Sequence, residues 1–367
     1  MRMKKILFIA AVALAAAACS KTYSVGNDTQ KAVGFATWAE TMTKAYAGTW
    51  TEDVDAFKVY GTKKVGTNPA EDVFTGEEVT YKGGTTWSYS PLKFWDLTAS
   101  NYTFYAFLPA SKMASGTTAG IFESTAVSFA NPTTNTEDIL VASKEVRTRA
   151  TGNSFMSTDA VELHFNHMAS LVDFKVKKAE SVGADAVITI TSATLTGVYD
   201  EGTLNVTGYD GTTNKPTYSA FGWTPTTSTK TYTSTATPCV AEAVTTYDAS
   251  GYASSTTSDP YGNIFTSYVL MPQDLTKGQK LNLEYTIADT QATANYTAEV
   301  NLEEFVKASA TYSNPDNTFN NGDAITGWMP GVHYTYYVTI SAKAITFTAS
   351  VNPWDISTST GYHYLLD

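Results

Sequence analysis

Residues 345–354 read ITFTASVNPW. Ile345, Phe347, Ala349 and Val351 fall on one side of an extended chain, and Thr346, Thr348, Ser350 and Asn352 on the other. Successive side chains of a strand point to opposite faces, so the stretch predicts a strand with one apolar and one wet face. Working outward, the same period of two recurs in YTYYVTI (334–340), NYTAEVNL (295–302), LNLEYTI (281–287) and SYVLMP (267–272). It returns in AVITITSATLTG (186–197), ASLVDFKVK (169–177), VELHF (161–165), NYTFYAFLP (101–109) and AFKVY (56–60). Between these runs, YKGGTTW, TGYDGTTNKP, SGYASSTTSDPYGN and SNPDNTFNNGD concentrate the Gly, Asn, Asp and Pro that turns require. Helical patterning is confined to two short candidates, ATWAETMTKAY (36–46) and VNLEEFVKA (300–308). Many strands at Greek-key spacing predict an all-β chain built of β-sandwiches.

The chain has 367 residues, which predicts two domains. It is 43% hydrophobic and only 16% charged, with 13% aromatic residues, and this excludes an intrinsically disordered chain. Abundant Thr and 23 Tyr favour strands. The polar, turn-rich segment SKEVRTRATGNSFMSTD (143–159) precedes a strong strand pair at Val161. The join is therefore expected near Thr151–Asp159, with one domain over 19–158 and a second over 159–367. Residues 208–262, rich in Thr, Ser, Tyr and Gly, read as a surface insertion in the second domain. A net charge of −11 without a Lys/Arg footprint excludes a nucleic-acid partner.

The N-terminus carries Arg2, Lys4 and Lys5, then an apolar run from Ile6 to Ala18. This is the pattern of a signal peptide over residues 1–18, too short for the roughly 20 apolar residues of a membrane span. It leads straight into Cys19. Two readings stand. In one, Ala16 and Ala18 form an ordinary cleavage site. In the other, Ala16-Ala17-Ala18-Cys19 is a lipobox, and an acylated Cys19 tethers the mature chain to a membrane. The second departs from the strict motif, which has Leu where Ala16 stands; the nearest is Leu14. Two acyl chains would hold firmly. Acylation would leave Cys239 as the one remaining thiol, so no disulfide is expected, and Cys239 reads as a small, half-buried apolar residue.

The search for chemistry returns no catalytic residues, no metal ligands and no cofactor motif. His164 and His167 would point to opposite faces of a strand, His333 would lie in a turn before one, and His363 is in the tail. The adjacent acidic pairs Glu52-Asp53, Glu77-Glu78 and Glu303-Glu304 read as solvated charge. Asn314–Asp323 lacks the ligand spacing of a calcium loop and reads as a turn. An enzyme is not expected.

Several segments, in order, resemble the fimbrillin family, the subunits of type V pili of Bacteroidales-type bacteria. They are VGFATWAETMTKA (33–45), NYTFYAFLP (101–109), EDILVA (137–142), VELHFNHMASLVDFKV (161–176), YVLMPQDL (268–275), GWMPGVHYTYYVTI (327–340) and ITFTASVNPW (345–354). The resemblance implies two Greek-key, transthyretin-like β-sandwich domains in tandem. It implies export as a lipoprotein held at the outer membrane by Cys19, and a place in a cell-surface pilus. A protease would remove the first strand, near 31–44, by cutting between Lys44 and Ala45, and a strand from another subunit would fill the vacated groove. The family's protease is often Arg-specific, yet no Arg lies between Cys19 and Arg147; Arg147 and Arg149 are expected in a loop too deep in the chain to serve. If Lys44 is not cut, the lipid stays and an anchor or tip subunit results. The tail 355–367 begins with a Ser/Thr-rich hinge and ends with Tyr362, Tyr364 and Leu366 on one face, the pattern of a donor strand. Its 13 residues span at most about 45 Å. Expected partners are other pilin subunits, the outer membrane through its lipid, and host or bacterial surface ligands. The alternative is a monomeric surface lipoprotein that binds glycans.

Overall fold

The computed structural model describes residues 23–25, 28–37, 52, 55–84, 86–112, 138–151, 159–182, 186–236, 239–240, 261–307, 322–341 and 345–353. Its regular structure is almost entirely strand; the described helical pieces are 3-10 turns of three residues. Strands β1 (Tyr23–Val25) and β2 (Asp28–Gln30) pair with each other. Then come β3 (Phe35–Thr37), β4 (Ala56–Lys64), β5 (Glu71–Tyr81), β6 (Trp87–Ser88), β7 (Asn101–Leu108), β8 (Leu140–Ala142), β9 (Glu145–Thr148), β10 (Val161–Leu163) and β11 (Phe165–His167). One sheet runs β11-β8-β7-β4-β5-β6, with β9 also on β7. Strands β3 and β10 pair in parallel as a separate ribbon. The inward face of the large sheet carries Phe57, Phe74, Tyr102, Phe104 and Leu140, and the ribbon covers it with Phe35, Val161 and Leu163.

The second half holds β12 (Ser170–Lys178), β13 (Val187–Tyr199), β14 (Gly202–Tyr209), β15 (Pro216–Pro225), β16 (Thr229–Thr233) and β17 (Cys239–Val240). It continues with β18 (Gly262–Leu270), β19 (Lys280–Ala288), β20 (Thr293–Asn301), β21 (Val306–Lys307), β22 (Val332–Ile340) and β23 (Ile345–Pro353). Two sheets result, β18-β12-β22-β23-β21 and β16-β13-β19-β20, the latter with β17 on β13. They close on one core: Phe174 and Val176 of β12, Tyr334 and Tyr336 of β22, and Ile188, Ile190 and Leu283 of the facing sheet. Trp328 lies inside, its indole donating to the Tyr336 hydroxyl at 2.8 Å. The opening stretch is β23, with Ala349 and Val351 buried as its alternation requires.

Three expectations change. The described residues of the 300–308 stretch, 300–307, form no α-helix: β20 ends at Asn301, one 3-10 turn spans Leu302–Glu304, and β21 follows. The buried Leu302, whose amide donates to the Gln279 carbonyl at 2.9 Å, ties that turn to the sheet. The described part of 208–262 is not a loose insertion, because it holds β15, β16, β17 and the start of β18. Arg147 lies within β9 rather than in a loop, paired with Tyr102 of β7. Strand β10 pairs with β3 and β11 with β8, while β12 pairs with β18.

Candidate functional site

The segment 31–37 has a local reason to be extended and a nonlocal reason to be buried. Val33 and Phe35 share a face, and both are buried, while Lys31 and Gly34 between and beside them are exposed. The segment is held on two sides. On one, the Val33 amide donates to the Lys93 carbonyl at 2.9 Å and the Trp95 amide to the Lys31 carbonyl at 3.0 Å. On the other, the Val161 amide donates to the Gly34 carbonyl at 2.8 Å, and Phe35–Thr37 runs parallel to Val161–Leu163. The direction differs between the sides, since Ala32 bridges Phe94 in antiparallel sense.

Phe35 fills an aromatic socket. Its ring centroid lies 5.4 Å from Phe74, 5.7 Å from Tyr89, 6.0 Å from Phe104 and 6.1 Å from Phe57, each in an edge-on arrangement. Such pairs contribute beyond burial alone. Burying Val33 and Phe35 is worth on the order of 3–6 kcal/mol before entropy. The Tyr89 hydroxyl donates to the Val33 carbonyl at 2.8 Å. Burial pushes that hydroxyl up to about 12, so it stays a donor at neutral pH.

The 93–96 rim is itself fixed. Lys93 pairs with Glu77 at 3.2 Å, and Lys63 with Asp96 at 2.8 Å. The Asp96 amide donates to the Tyr102 oxygen at 2.6 Å. The opposite rim is fixed by Arg147, whose guanidinium donates to the Ala160 carbonyl at 2.9 Å and pairs with Glu145 at 2.8 Å. Were the segment to leave, it would uncover a socket of four rings between two edges of unpaired backbone. Another strand could satisfy both at once.

Of the first strand expected near 31–44, Val33 and Phe35 sit at this site. Cys19, Lys44, Ala45, Tyr362, Tyr364, Leu366 and His363 lie outside the described residues. Two of the described histidines pair with different carboxylates. His167 Nδ1 is 2.5 Å from Asp138 Oδ2, and His333, which is in β22, has Nε2 2.6 Å from Asp173 Oδ2. Burial pushes the Asp138 carboxyl up, against the pull of His167 and of the Ile139 and Ala169 amides. Among the described residues no three potential metal-ligating side chains gather. Glu77 is no solvated pair member but a rim contact, and Glu304 accepts from Asn301 at 2.7 Å. Sequence reading missed Tyr89, Lys93 and Trp95, which lie in a segment without strand alternation.

A fimbrillin-like family model matches residues 43–354. The chain belongs to the fimbrillin-like family. No curated protein matches it. Solved structures similar to this fimbrillin-like chain include a candidate cell adhesion protein from Bacteroides uniformis, 16% identical, covering 90% of this chain and 100% of that one at a TM-score of 0.49. Another is a fimbrial protein from Bacteroides vulgatus, 18% identical over 88% of this chain and 99% of that one, TM-score 0.47. A fimbrilin from Porphyromonas gingivalis is 10% identical over 88% and 97%, TM-score 0.40. The family match rests on residues from 43 onward, so the seat of residues 31–37 is described by its own geometry.

Proposed function

We propose that this fimbrillin-like protein is a structural subunit of a cell-surface pilus and joins its neighbours by strand exchange at the seat of residues 31–37. The observation that carries the reading is Phe35 in its four-ring socket, on a short segment held by backbone bonds to two separate rims. A segment of that kind is removable in one piece, and its loss leaves a strand-shaped demand. In this reading Cys19 carries a lipid that holds the unassembled subunit at the outer membrane. A cut between Lys44 and Ala45 releases the lipid together with the first strand. The tail 355–367 of another subunit then enters, with Tyr362, Tyr364 and Leu366 inward, and the two halves act as tandem sandwich domains.

The test is Lys-specific limited proteolysis of the folded chain, followed by addition of a peptide spanning 355–367. The expected result is early cleavage at Lys44 and stable peptide uptake by the cut protein only. Cleavage without uptake would overturn strand exchange. A second reading, a subunit that keeps its lipid, draws on the lack of any Arg between Cys19 and Arg147 and on Arg147 being engaged at the rim. Resistance at Lys44 together with labelled lipid on Cys19 would favour it.

A further inference from the structure

The outward face of the first-half sheet is apolar as well, and it is covered by a piece of the second half. Tyr60, Tyr105, Phe107 and Val141 point away from the Phe35 socket into a separate buried cluster with Leu204, Val206 and Trp223. The last three belong to the β14–β15 hairpin. Leu204 and Trp223 are cross-strand partners, and all three are buried.

The hairpin is pinned from base to tip. At its base the Trp223 indole donates to the Met168 carbonyl at 2.7 Å, where the chain crosses between halves. There it also packs so closely on the 327–330 loop that a Cβ at Gly327 would sit 1.9 Å from the Phe221 ring. A Cβ at Gly222, whose φ is +76°, would sit 2.9 Å from Pro330. At its tip the Lys144 amide donates to the Asn214 carbonyl at 2.8 Å, and the Tyr209 ring lies 5.3 Å from Tyr105. The turn is shaped by Asp210, whose Oδ1 accepts from the Thr212 and Thr213 amides and the Thr213 hydroxyl.

We infer that the β14–β15 hairpin is a back-plate for the first-half sheet: second-half by sequence, first-half by packing, and required to hold strands β4 and β7 in shape. Those two strands supply Phe57 and Phe104 to the socket on one face and Tyr60, Tyr105 and Phe107 to the hairpin on the other. The back-plate role rests on the fold alone. Its consequence, that the hairpin keeps the acceptor sheet folded while the first strand is absent, rests on the strand-exchange reading.

The experiment is site-resolved hydrogen exchange on the full, uncut chain, comparing wild type with Val206→Asp. An unpaired carboxylate at a buried apolar contact should open the sheet it faces. Amides of β4 and β7 are expected to exchange more than about tenfold faster, with β22 amides changing less than about twofold. Val206→Ala, which adds no charge, should give the same pattern at smaller size and covers the case where Val206→Asp does not fold. Acceleration confined to residues 202–225, or greater in β22 than in β7, would overturn the inference. Because the chain is uncut, failure of peptide uptake at the Phe35 seat leaves this result standing, and the two ideas fail separately.

Discussion

The two halves solve the same problem with different layers. In the second half, a five-stranded sheet faces another sheet of similar extent, and the core lies between the two. In the first half, a long sheet is covered on its inward face by a two-stranded ribbon of three-residue strands, and on its outward face by a hairpin from the other half. One half is closed by its own two sheets; the other is closed by a short ribbon of its own and by a hairpin on loan. Under the strand-exchange reading, the difference teaches which piece can leave: removing β3 takes one strand of the short ribbon and leaves every strand of the large sheet paired.

The largest expected effect tests that asymmetry directly. Phe35→Ala and Trp328→Ala each remove a buried aromatic side chain and should each cost about 3–5 kcal/mol. Their consequences should differ. Trp328 is wholly enclosed between continuous strands and bonded to Tyr336, so its loss should lower the main urea transition of the second half. Loss of Phe35 should open residues 31–37 and speed proteolysis of that segment, with β22 amides unaffected. Equal spreading of both effects over the whole chain would show that the first half has no separable layer.

This contrast was only partly legible in the sequence. Where one face is wet and the other apolar, as in β23, alternation alone places the strand and its buried side. In β7 the signal was richer than a period of two: Tyr102, Phe104, Ala106 and Leu108 alternate, yet Tyr105 and Phe107 between them are buried too. Apolar residues at both parities mean a strand covered on both faces, and that was the available sign of a second cover. What supplies the cover was not visible. The hairpin strands are interrupted by Thr, Asn and Gly, and their turn at Asp210–Asn214 makes the region read as an insertion. The 93–96 rim was missed for a different reason: its backbone serves the seat through isolated bonds, which leave no periodic trace. The helical expectation at 300–307 failed because Leu302 and Phe305, three apart as on one helix face, are buried by a 3-10 turn and the residue that follows it instead.

A middle-sized effect is expected at Tyr89. Its hydroxyl is the one side-chain donor to the segment's backbone among the described contacts, and Tyr89→Phe keeps the ring in the socket while removing that bond. The Val33 carbonyl would lose about 1 kcal/mol of net interaction. Faster Lys-specific cleavage of the folded chain near residue 44, with an unchanged second-half transition, is the expected readout. If cleavage is unaltered, release of the segment is governed by the rims alone.

The smallest effect concerns the charge that holds one rim, and it separates the halves by pH. Asp96 Oδ2 lies 2.8 Å from Lys63 Nζ, and Oδ1 accepts from the Thr98 amide at 3.0 Å and its hydroxyl at 2.6 Å. The bond from Lys63, then those from Thr98, hold the carboxyl down to about 2 from its ordinary 3.8. Lys63 is shifted upward by the same bond, so it stays charged throughout the acidic range. A carboxylate with a lowered folded value favours the folded state fully above its unfolded value, and that advantage fades as pH falls from about 4 toward about 2. The pair is part-exposed, so water and salt limit it to less than about 1 kcal/mol. Urea midpoints of the first-half transition should therefore fall over that window in the wild type and fall less steeply in Asp96→Asn, with the difference shrinking in high salt. The second-half transition should show no difference between the two proteins at any pH. An identical acid slope in both proteins would mean that the rim is held by its backbone bonds and by Lys93–Glu77, and that the Asp96 charge has no part in closing the seat.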